Sequence, residues 1–156
     1  MNADSPCPFC ERTQTVYLES DRWILLRHAD PVPIAGWMMI ASRAHRGGLD
    51  ELDGQEQSEL GAIAAALASA VRAETGCERT YSITFNEAVR HFHLHVIPRH
   101  ASDATTTSWA LADRYRATAR KEVPAADPAE AERAARAIAA RALPRLGMLG
   151  FRVPQA

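Results

Sequence analysis

The sequence lacks long apolar runs, and its charges are almost balanced. The longest apolar stretch is AIAAALA at 62–68, far shorter than the roughly 20 residues that span a bilayer, so no membrane insertion is expected. The 156 residues include 18 basic and 19 acidic side chains, a formal charge of −1, which excludes bulk attraction to nucleic acid or anionic membranes. The N-terminal MNADSPCPFC has no basic segment and no signal-type apolar run, and a cytoplasmic location is expected.

Cysteine is also scarce, with 3 residues in the chain. An odd number in a reducing compartment argues against a disulfide framework. Two of them form Cys7-Pro-Phe-Cys10, a spacing shared by zinc half-sites and redox-active dithiols. A redox motif needs a strand directly before it, and Asp4-Ser5-Pro6 does not suit one. Zinc is therefore favoured over redox chemistry and over unmetallated cysteines, while Cys77 is expected to be a small buried hydrophobic residue.

Sequence patterns predict an α+β fold with an antiparallel sheet, because strands precede and follow a helix without a repeating βαβ rhythm. The long helix is predicted over about 54–75, since Asp53 and Glu56 have capping-box spacing and Gly76 suits the C-terminal cap. Asp127 and Pro128 open an additional C-terminal helix with a thin apolar stripe. The predicted strands are 15–20, 23–27, 37–42, 81–85 and 91–97.

The stretch HFHLHVIPRH at 91–100 places three of the 6 histidines at every second position. Residues two apart in a strand lie about 6.6 Å from each other on one face, so His91, His93 and His95 share a face and the apolar residues between them face the core. A row of imidazoles is a poor choice for a merely solvated face and indicates a reactive or metal-binding surface. Pro98 has no amide hydrogen and is expected to end the pairing.

Two kinds of site fit these residues. Zinc on the two cysteines needs two further ligands, which His45 and one histidine of the row would supply as a closed, structural Cys2His2 set. A remaining neutral imidazole is a good nucleophile toward the α-phosphorus of a nucleotide, provided that donors around the phosphate absorb charge. The candidates for those contacts are His95, Asn86 and Arg99.

These residues resemble the histidine triad (HIT) family of nucleotide hydrolases and transferases. The family motif His-φ-His-φ-His-φ-φ, with φ apolar, matches residues 91–97 without a mismatch, and Pro98-Arg99 follows as is usual in the family. The N-terminal CPFC, the stretch PVPIAGWMMIASRAH ending in His45, and LDEL before the long helix extend the resemblance over most of residues 5–103.

The resemblance implies a five-stranded antiparallel sheet, commonly in a homodimer whose two sheets adjoin. It implies a nucleotide or dinucleotide substrate, with His93 as the nucleophile that becomes nucleotidylated and His95 in contact with the phosphate. In zinc-bearing members the first histidine of the motif joins a CxxC pair and an upstream histidine on a structural zinc. Carried over to this chain, the zinc ligands are Cys7, Cys10, His45 and His91.

The chain departs from the family pattern before the triad. Many members have a longer glycine-rich segment there, with polar groups that hold the phosphate and protonate the leaving group, whereas this chain has FNEAVR at 85–90. Glu87 falls near those positions and is a candidate substrate contact, while its neighbour Ala88 cannot donate a proton. Gly36-Trp37 stands where Gly-His is usual. A short loop would leave the site open to a bulky leaving group such as a second nucleotide.

The predicted function is cleavage at the α-phosphate of a purine mono- or dinucleotide, or of a nucleoside phosphoramidate. We place a catalytic domain at 1–108 and a C-terminal helical extension, packed on it, at 109–156. One alternative is a metallohydrolase with the histidine row on a catalytic zinc, although three same-face residues span about 13 Å, too far to share one ion. The other is a non-catalytic nucleotide-binding protein.

Overall fold

The computed structural model of the protein describes residues 7–155. The Asp4-Ser5-Pro6 segment, which entered the argument against a redox motif, lies outside the described residues. Within the described part of the chain, no helix is long and apolar enough to cross a membrane.

The regular elements alternate along the chain as the sequence patterns predict, with strands before and after the longest helix. The strands are β1 (Val16–Glu19), β2 (Trp23–Arg27), β3 (Met38–Ser42), β4 (Arg79–Ile83) and β5 (His93–Arg99). The helices are α1 (Gly54–Thr75), α2 (Ser108–Ala119) and α3 (Pro128–Leu146), with short 3-10 segments at Leu49–Glu51, Ala104–Thr106 and Gly147–Leu149.

The strands form one five-stranded antiparallel sheet in the order β1-β2-β3-β5-β4. This confirms the predicted α+β fold, and β1 and β2 form a hairpin. Its turn is held by the Ser20 hydroxyl, which accepts the backbone N–H groups of Arg22 and Trp23. Because β5 pairs with β3 in the middle of the sheet, the histidine strand lies between neighbours on both sides.

The two faces of the sheet have different coverings. On one face, α1 and α3 pack on alternate strand residues such as Met38, Ile40 and Val96 in the main hydrophobic core. On the other face, Met39 and Ala41 lie opposite His95 and His93, and Phe9 of the N-terminal segment packs over this side. The alternation of imidazole and apolar residues in β5 therefore separates a reactive face from the core, as the spacing predicts.

Helix α1 begins and ends where its capping residues predict. The Asp53 carboxylate accepts the N–H groups of Gln55 and Glu56, and the Glu56 carboxylate accepts the N–H of Asp53, which completes the capping box. Gly76 ends the helix with a φ of 65°, a left-handed conformation that glycine adopts without a steric penalty. Cys77, directly after it, is buried as expected.

The C-terminal helices pack on the same body as the sheet. Asp127 caps α3 by accepting the N–H of Glu130, and Pro128 occupies its first turn. The apolar stripe of α3 is buried, most of it in the main core beside α1 and its first residue in a second cluster with Trp37 and Ile97. It consists of Ala131, Ala135, Ile138 and Ala142. Both C-terminal helices share buried clusters with strand residues. The division of the chain at residue 108 into a catalytic domain and an extension stays a prediction.

Several strand boundaries differ from the predictions, and β5 begins at His93, so His91 lies just before the strand. β4 ends at Ile83 rather than 85, because the Asn86 side chain accepts the His93 N–H and replaces a strand partner there. Pro98 does not end the pairing, since β5 stays paired with β4 as far as Arg99. The Arg99 carbonyl accepts from Glu78 on the β4 side. Alternation therefore directs the Pro98 nitrogen away from β4, beyond the last β3 partner of β5, where no amide hydrogen is needed.

Candidate functional site

Four potential metal ligands converge beside the first histidine of the row. One ligand atom from each of Cys7, Cys10, His45 and His91 lies within 4.8 Å of the others. The Cys7 Sγ is 3.3 Å from His91 Nδ1, and the Cys10 Sγ is 3.2 Å from His45 Nδ1 and 3.5 Å from His91 Nδ1. These are the residues that the resemblance implies, and they include the two cysteines and His45 that spacing alone favours.

Each segment that carries a ligand is held in place by neighbouring structure. The turn at 7–13 is closed by backbone hydrogen bonds from Glu11 to Cys7 and from Thr13 to Pro8. The loop of His45 is anchored through the next residue, because the Arg46 carbonyl accepts the Phe92 N–H and its guanidinium pairs with the buried Glu56 at 3.0 Å. The N-terminal cap of α1 therefore also fixes the loop between β3 and α1.

The second ring nitrogen of His91 determines which nitrogen faces the sulfurs. Its Nε2 lies 2.7 Å from the carbonyl oxygen of Ser42. A carbonyl only accepts, so Nε2 carries the hydrogen and donates, and the Nδ1 lone pair points toward the cysteines. Metal-binding histidines are characteristically oriented in this way by an acceptor on the other nitrogen. Burial lowers the pKa of His91, which favours the neutral ring that a metal requires.

The group fits a tetrahedral zinc ion. Zn–S bonds of about 2.3 Å and Zn–N bonds of about 2.0 Å place sulfur and nitrogen ligands about 3.5 Å apart, close to the distances of 3.2–3.5 Å between these sulfurs and nitrogens. Burial and the neighbouring Cys7 raise the pKa of the Cys10 thiol. A cation between the two sulfurs would reverse that effect by stabilising the thiolates. All four positions come from protein, so none is left for a reacting water.

His93, the middle histidine, has a different partner and a different free atom. Its Nδ1 lies 2.7 Å from the carbonyl oxygen of His91 and must carry the hydrogen. The Nε2 lone pair is therefore free to act as a nucleophile. Burial lowers the pKa of His93, which keeps the ring neutral near pH 7. His93 thus has the tautomer and the charge that attack on phosphorus requires.

Two contacts hold His93 from either side. The Asn86 carboxamide oxygen accepts the backbone N–H of His93 at 3.1 Å. The same oxygen accepts the Thr84 hydroxyl at 3.0 Å. The buried Phe9 ring lies 4.8 Å from the His93 ring and 5.1 Å from the His91 ring. The N-terminal segment that carries the two cysteines therefore also packs on the His93 ring.

His95 lies next along the same face, with its ring centroid 4.9 Å from that of His93. Its Nδ1 accepts a hydrogen bond of 3.0 Å from the indole Nε1–H of Trp37. The neutral ring therefore carries its hydrogen on Nε2. Burial, with smaller contributions from His93 and His28, lowers the pKa of His95 to about 3.

A fourth histidine near this face was not predicted from the sequence. His28 follows β2, and its ring lies 5.9 Å from that of His95 and 4.8 Å from that of Trp37. The Tyr115 ring of α2 contacts both His28 and Trp37. Only the order of strands brings these residues together, and the one signal in the sequence is that His28 directly follows a predicted strand.

The remaining predicted site residues are placed differently. Arg99 pairs with Glu78. It lies four residues beyond His95, about 13 Å along β5, so the structure does not bring it beside His93. Glu87 is exposed in the loop that contains Asn86. The three arginines of residues 109–121, a basic segment in the C-terminal part of the chain, each form an ion pair with a carboxylate. The pairs are Arg114–Asp103, Arg116–Asp113 and Arg120–Glu122.

The three histidines of the row do not converge on one point. Among residues 7–155, the one group of metal-ligating atoms within mutual reach contains His91 and excludes His93 and His95. The His93 and His95 rings are instead oriented by the His91 carbonyl and the Trp37 indole. This arrangement gives no support to a catalytic zinc bound by the whole row.

Comparisons with known proteins agree with this geometry. A family model described as the HIT domain matches residues 10–102, more than half of the chain. A comparison with curated proteins gave no match. Among solved structures, a zinc-bound histidine triad family protein from Mycobacterium smegmatis is similar at 18% identity and a TM-score of 0.62, covering 86% of this chain and 94% of that one.

Two further structures show the same fold at low identity. A histidine triad protein from Bradyrhizobium japonicum has 18% identity and a TM-score of 0.65, covering 88% of this chain and 96% of its own. One from Sinorhizobium meliloti has 20% identity and a TM-score of 0.63, covering 91% of this chain and 96% of its own. The similarity therefore includes the C-terminal helices that follow the matched domain.

Proposed function

The chain belongs to the histidine triad (HIT) family, and from that premise we propose that it is a nucleotide hydrolase or transferase acting through His93. The substrate is a purine mono- or dinucleotide or a nucleoside phosphoramidate, cleaved at the α-phosphate. One observation carries the proposal. The Nδ1–H of His93 is donated to the His91 carbonyl, which leaves Nε2 as a free, neutral nucleophile on the sheet face.

The reaction has two displacement steps at phosphorus. In the first, the Nε2 lone pair forms a bond to the α-phosphorus while the bond to the leaving group breaks, and the leaving group departs with that electron pair. The ring then holds phosphorus on Nε2 and hydrogen on Nδ1 and is cationic, a charge that the His91 carbonyl stabilises. In the second step, water or another hydroxyl acceptor attacks phosphorus and gives up a proton to solvent or to the departed leaving group, the P–N bond breaks, and His93 regains its lone pair.

His95 supports this chemistry as a donor. Its Nε2–H lies on the same face as the nucleophile and would contact a phosphate oxygen, where it opposes the negative charge that develops on oxygen. Asn86 positions the backbone of His93 and need not touch substrate. The short, exposed loop around Glu87 is consistent with a bulky leaving group, and Glu87 remains a candidate contact for it.

We also propose that Cys7, Cys10, His45 and His91 hold one zinc ion with a structural role. Bound there, the ion would tie the N-terminal segment to the residues that flank β3 and β5. Because the His91 carbonyl accepts the His93 Nδ1–H, the metal site would position the nucleophile through one backbone peptide. Phe9, between the two cysteines, packs directly on the His93 ring and provides a second link.

The test is intact-mass spectrometry of the protein after brief mixing with a diadenosine polyphosphate or adenosine phosphoramidate. The reaction is quenched without acid, because acid cleaves P–N bonds. The wild type is expected to gain the mass of one adenylyl group, and His93→Ala is expected to gain none while keeping its zinc content. His100→Ala is the matched control, since the hydrogen bonds of His100 use its backbone.

The alternatives give different results in the same experiment. A non-catalytic nucleotide-binding protein would bind nucleotide without an adduct, and turnover retained by His93→Ala would overturn the proposed nucleophile. The proposed range of substrates depends on the open loop. Equal turnover of diadenosine polyphosphates and small adenosine phosphoramidates would argue against a preference for bulky leaving groups.

A further inference from the structure

Trp37 stands in this chain where histidine is usual in the family, and it contacts His95 directly. The Trp37 side chain is 95% buried, and its indole N–H is donated to His95 Nδ1 at 3.0 Å. An indole nitrogen only donates, whereas an imidazole can donate, accept or take up a proton. The residue at position 37 therefore decides which of these roles His95 can adopt.

The surroundings of the indole hold it in this orientation. The His28 and Tyr115 rings contact it at centroid distances of 4.8 and 5.9 Å. Gly36, directly before it, has a φ of +87°, and a Cβ there would lie 2.5 Å from the Thr75 methyl group. The loop can thus pass the end of α1 only with glycine at this position. These contacts come from β2, α1 and α2, so the indole N–H is aimed before any substrate arrives.

A fixed donor at Nδ1 restricts the His95 ring. If His95 took up a proton, Nδ1–H would face the indole N–H, and the hydrogen bond would become a contact between two donors. If the ring changed tautomer, the same clash would arise and Nε2 would lose its hydrogen. The hydrogen bond is therefore compatible with one state of His95, the neutral ring with hydrogen on Nε2.

We propose that Trp37 is a positioning residue that holds His95 as a neutral Nε2–H donor to the substrate phosphate. This inference rests on the proposed function, since the donor matters only if a phosphate is bound beside His93. A neutral donor stabilises charge on a phosphate oxygen without transferring its proton. His95 would therefore bind the phosphate in the same state across the physiological pH range.

The groups around His95 are consistent with this role. The titratable side chains that act on it are His93 of β5 and His28 after β2, and both disfavour a charge on the ring. Tyr115 of α2 reaches His28 and the indole, and Met39 is the β3 partner of His95 in the sheet. Of the groups that shift the His95 pKa, none is a carboxylate that would stabilise the imidazolium.

Nitrogen NMR of the zinc-loaded, 15N-labelled full chain tests the proposal without substrate. The wild type should show a scalar coupling between Trp37 Nε1 and His95 Nδ1 across the hydrogen bond. Its His95 should carry hydrogen on Nε2 alone, unchanged between about pH 5 and pH 8. The His95 signals are assigned from their loss in His95→Gln. In Trp37→Phe, which keeps a ring but removes the donor, the His95 nitrogen shifts should show a second neutral tautomer, with hydrogen on Nδ1.

Trp109→Phe is the matched control, because the Trp109 side chain is 85% exposed and lies outside the site. It should leave the His95 signals unchanged. In turnover assays, Trp37→Phe should lower kcat about tenfold, with a smaller change in KM. This is less than the loss of kcat that follows complete removal of a transition-state donor, because His95 itself is still present.

Three results would overturn the proposal: hydrogen on Nδ1 of wild-type His95, titration of that ring near its ordinary pKa, or wild-type behaviour of His95 in Trp37→Phe. If Trp37→Phe does not fold, the wild-type coupling and pH series still decide the matter. The failure of the proposed function is a separate result. It would appear as a missing nucleotide adduct in the wild type, whatever the NMR shows.

Discussion

Removal of the metal from the Cys7, Cys10, His45 and His91 site is expected to lower stability strongly and to affect chemistry only through the fold. The ligands come from distant parts of the chain, since Cys10 lies 35 residues from His45 and 81 from His91. The unfolded chain therefore has no preformed site, and zinc binds the native state selectively. At a free zinc concentration about 1,000 times the dissociation constant, this stabilises the fold by about 4 kcal/mol.

A difference of that size is easily measured by thermal unfolding. In a domain of about 150–250 residues, 1 kcal/mol corresponds to about 2–4 °C, so chelation should lower the melting temperature by about 8–16 °C. Cys10→Ala, which removes one ligand, should produce most of the same decrease and should lose zinc by elemental analysis. Cys77→Ala is the matched control, because that buried cysteine follows α1 and is absent from the metal group.

The timing of activity loss distinguishes a structural from a catalytic metal. His93 is not among the metal ligands, so at a temperature well below the lowered melting point, turnover should decline only as fast as the chelated protein unfolds. Circular dichroism and turnover are followed in the same sample after chelator is added. Loss of turnover within the mixing time, with unchanged circular dichroism, would refute this reasoning and favour a metallohydrolase. An unchanged melting temperature would refute the zinc site itself.

Three further predictions concern the nucleophile, pH and assembly. Asn86→Ala leaves the His93 N–H without its acceptor, so it should cost about 1–3 kcal/mol of stability in urea unfolding and should lower kcat in turnover assays. Asn86→Asp keeps the accepting oxygen and should retain most of the stability and most of the kcat. Burial lowers the pKa of His28 and His95, so below pH 6.5 the unfolded chain binds more protons. Stability should then fall with decreasing pH by about 1.4 kcal/mol per pH unit for His95, whose folded pKa is about 3. His28 adds to this slope in the same direction, so His28→Gln should flatten the slope measured by urea unfolding, whereas an equal slope would contradict this assignment. β4 is an edge of the described sheet, and we expect a homodimer through it, so light scattering that gives the mass of a single chain would contradict that expectation.

Local capping chemistry predicts the helix boundaries closely. Asp53, Glu56 and Gly76 place α1 at 54–75, and the structure has Gly54–Thr75. Asp127 and Pro128 likewise predict the start of α3. These patterns succeed because the hydrogen bonds of a helix end join residues that are close in sequence. The period-two spacing correctly places His93 and His95 on one face of β5 for the same reason, since it depends only on the pleat of one strand, whereas His91 lies just before β5.

Most of the structural details that differ from the sequence-based predictions, or that the sequence did not predict, depend on contacts between distant parts of the chain. The end of β4 is set by the Asn86 side chain reaching His93 across the loop. The approach of His28, Trp37 and Tyr115 to His95 depends on strand order and on the packing of α2. Arg99 lies on the same face of β5 as His93 and His95 but farther along the strand, because extended residues advance by about 3.3 Å each. The contacts of Asn86 and of the rings around His95 are not contained in sequence spacing, whereas the distance of Arg99 from His95 follows from it.

The alternate histidines differ most in what contacts their second ring nitrogen. A backbone carbonyl accepts from Nε2 of His91, another accepts from Nδ1 of His93, and an indole donates to Nδ1 of His95. The first ring therefore presents a lone pair at Nδ1 toward two sulfurs, the second presents a lone pair at Nε2, and the third presents a hydrogen at Nε2. Three chemically identical side chains at alternate positions thus present different atoms, which suits the proposed roles of metal ligand, nucleophile and donor. Because each assignment follows from a different neighbour, replacing Trp37 should alter the third ring and leave the tautomers of His91 and His93 unchanged.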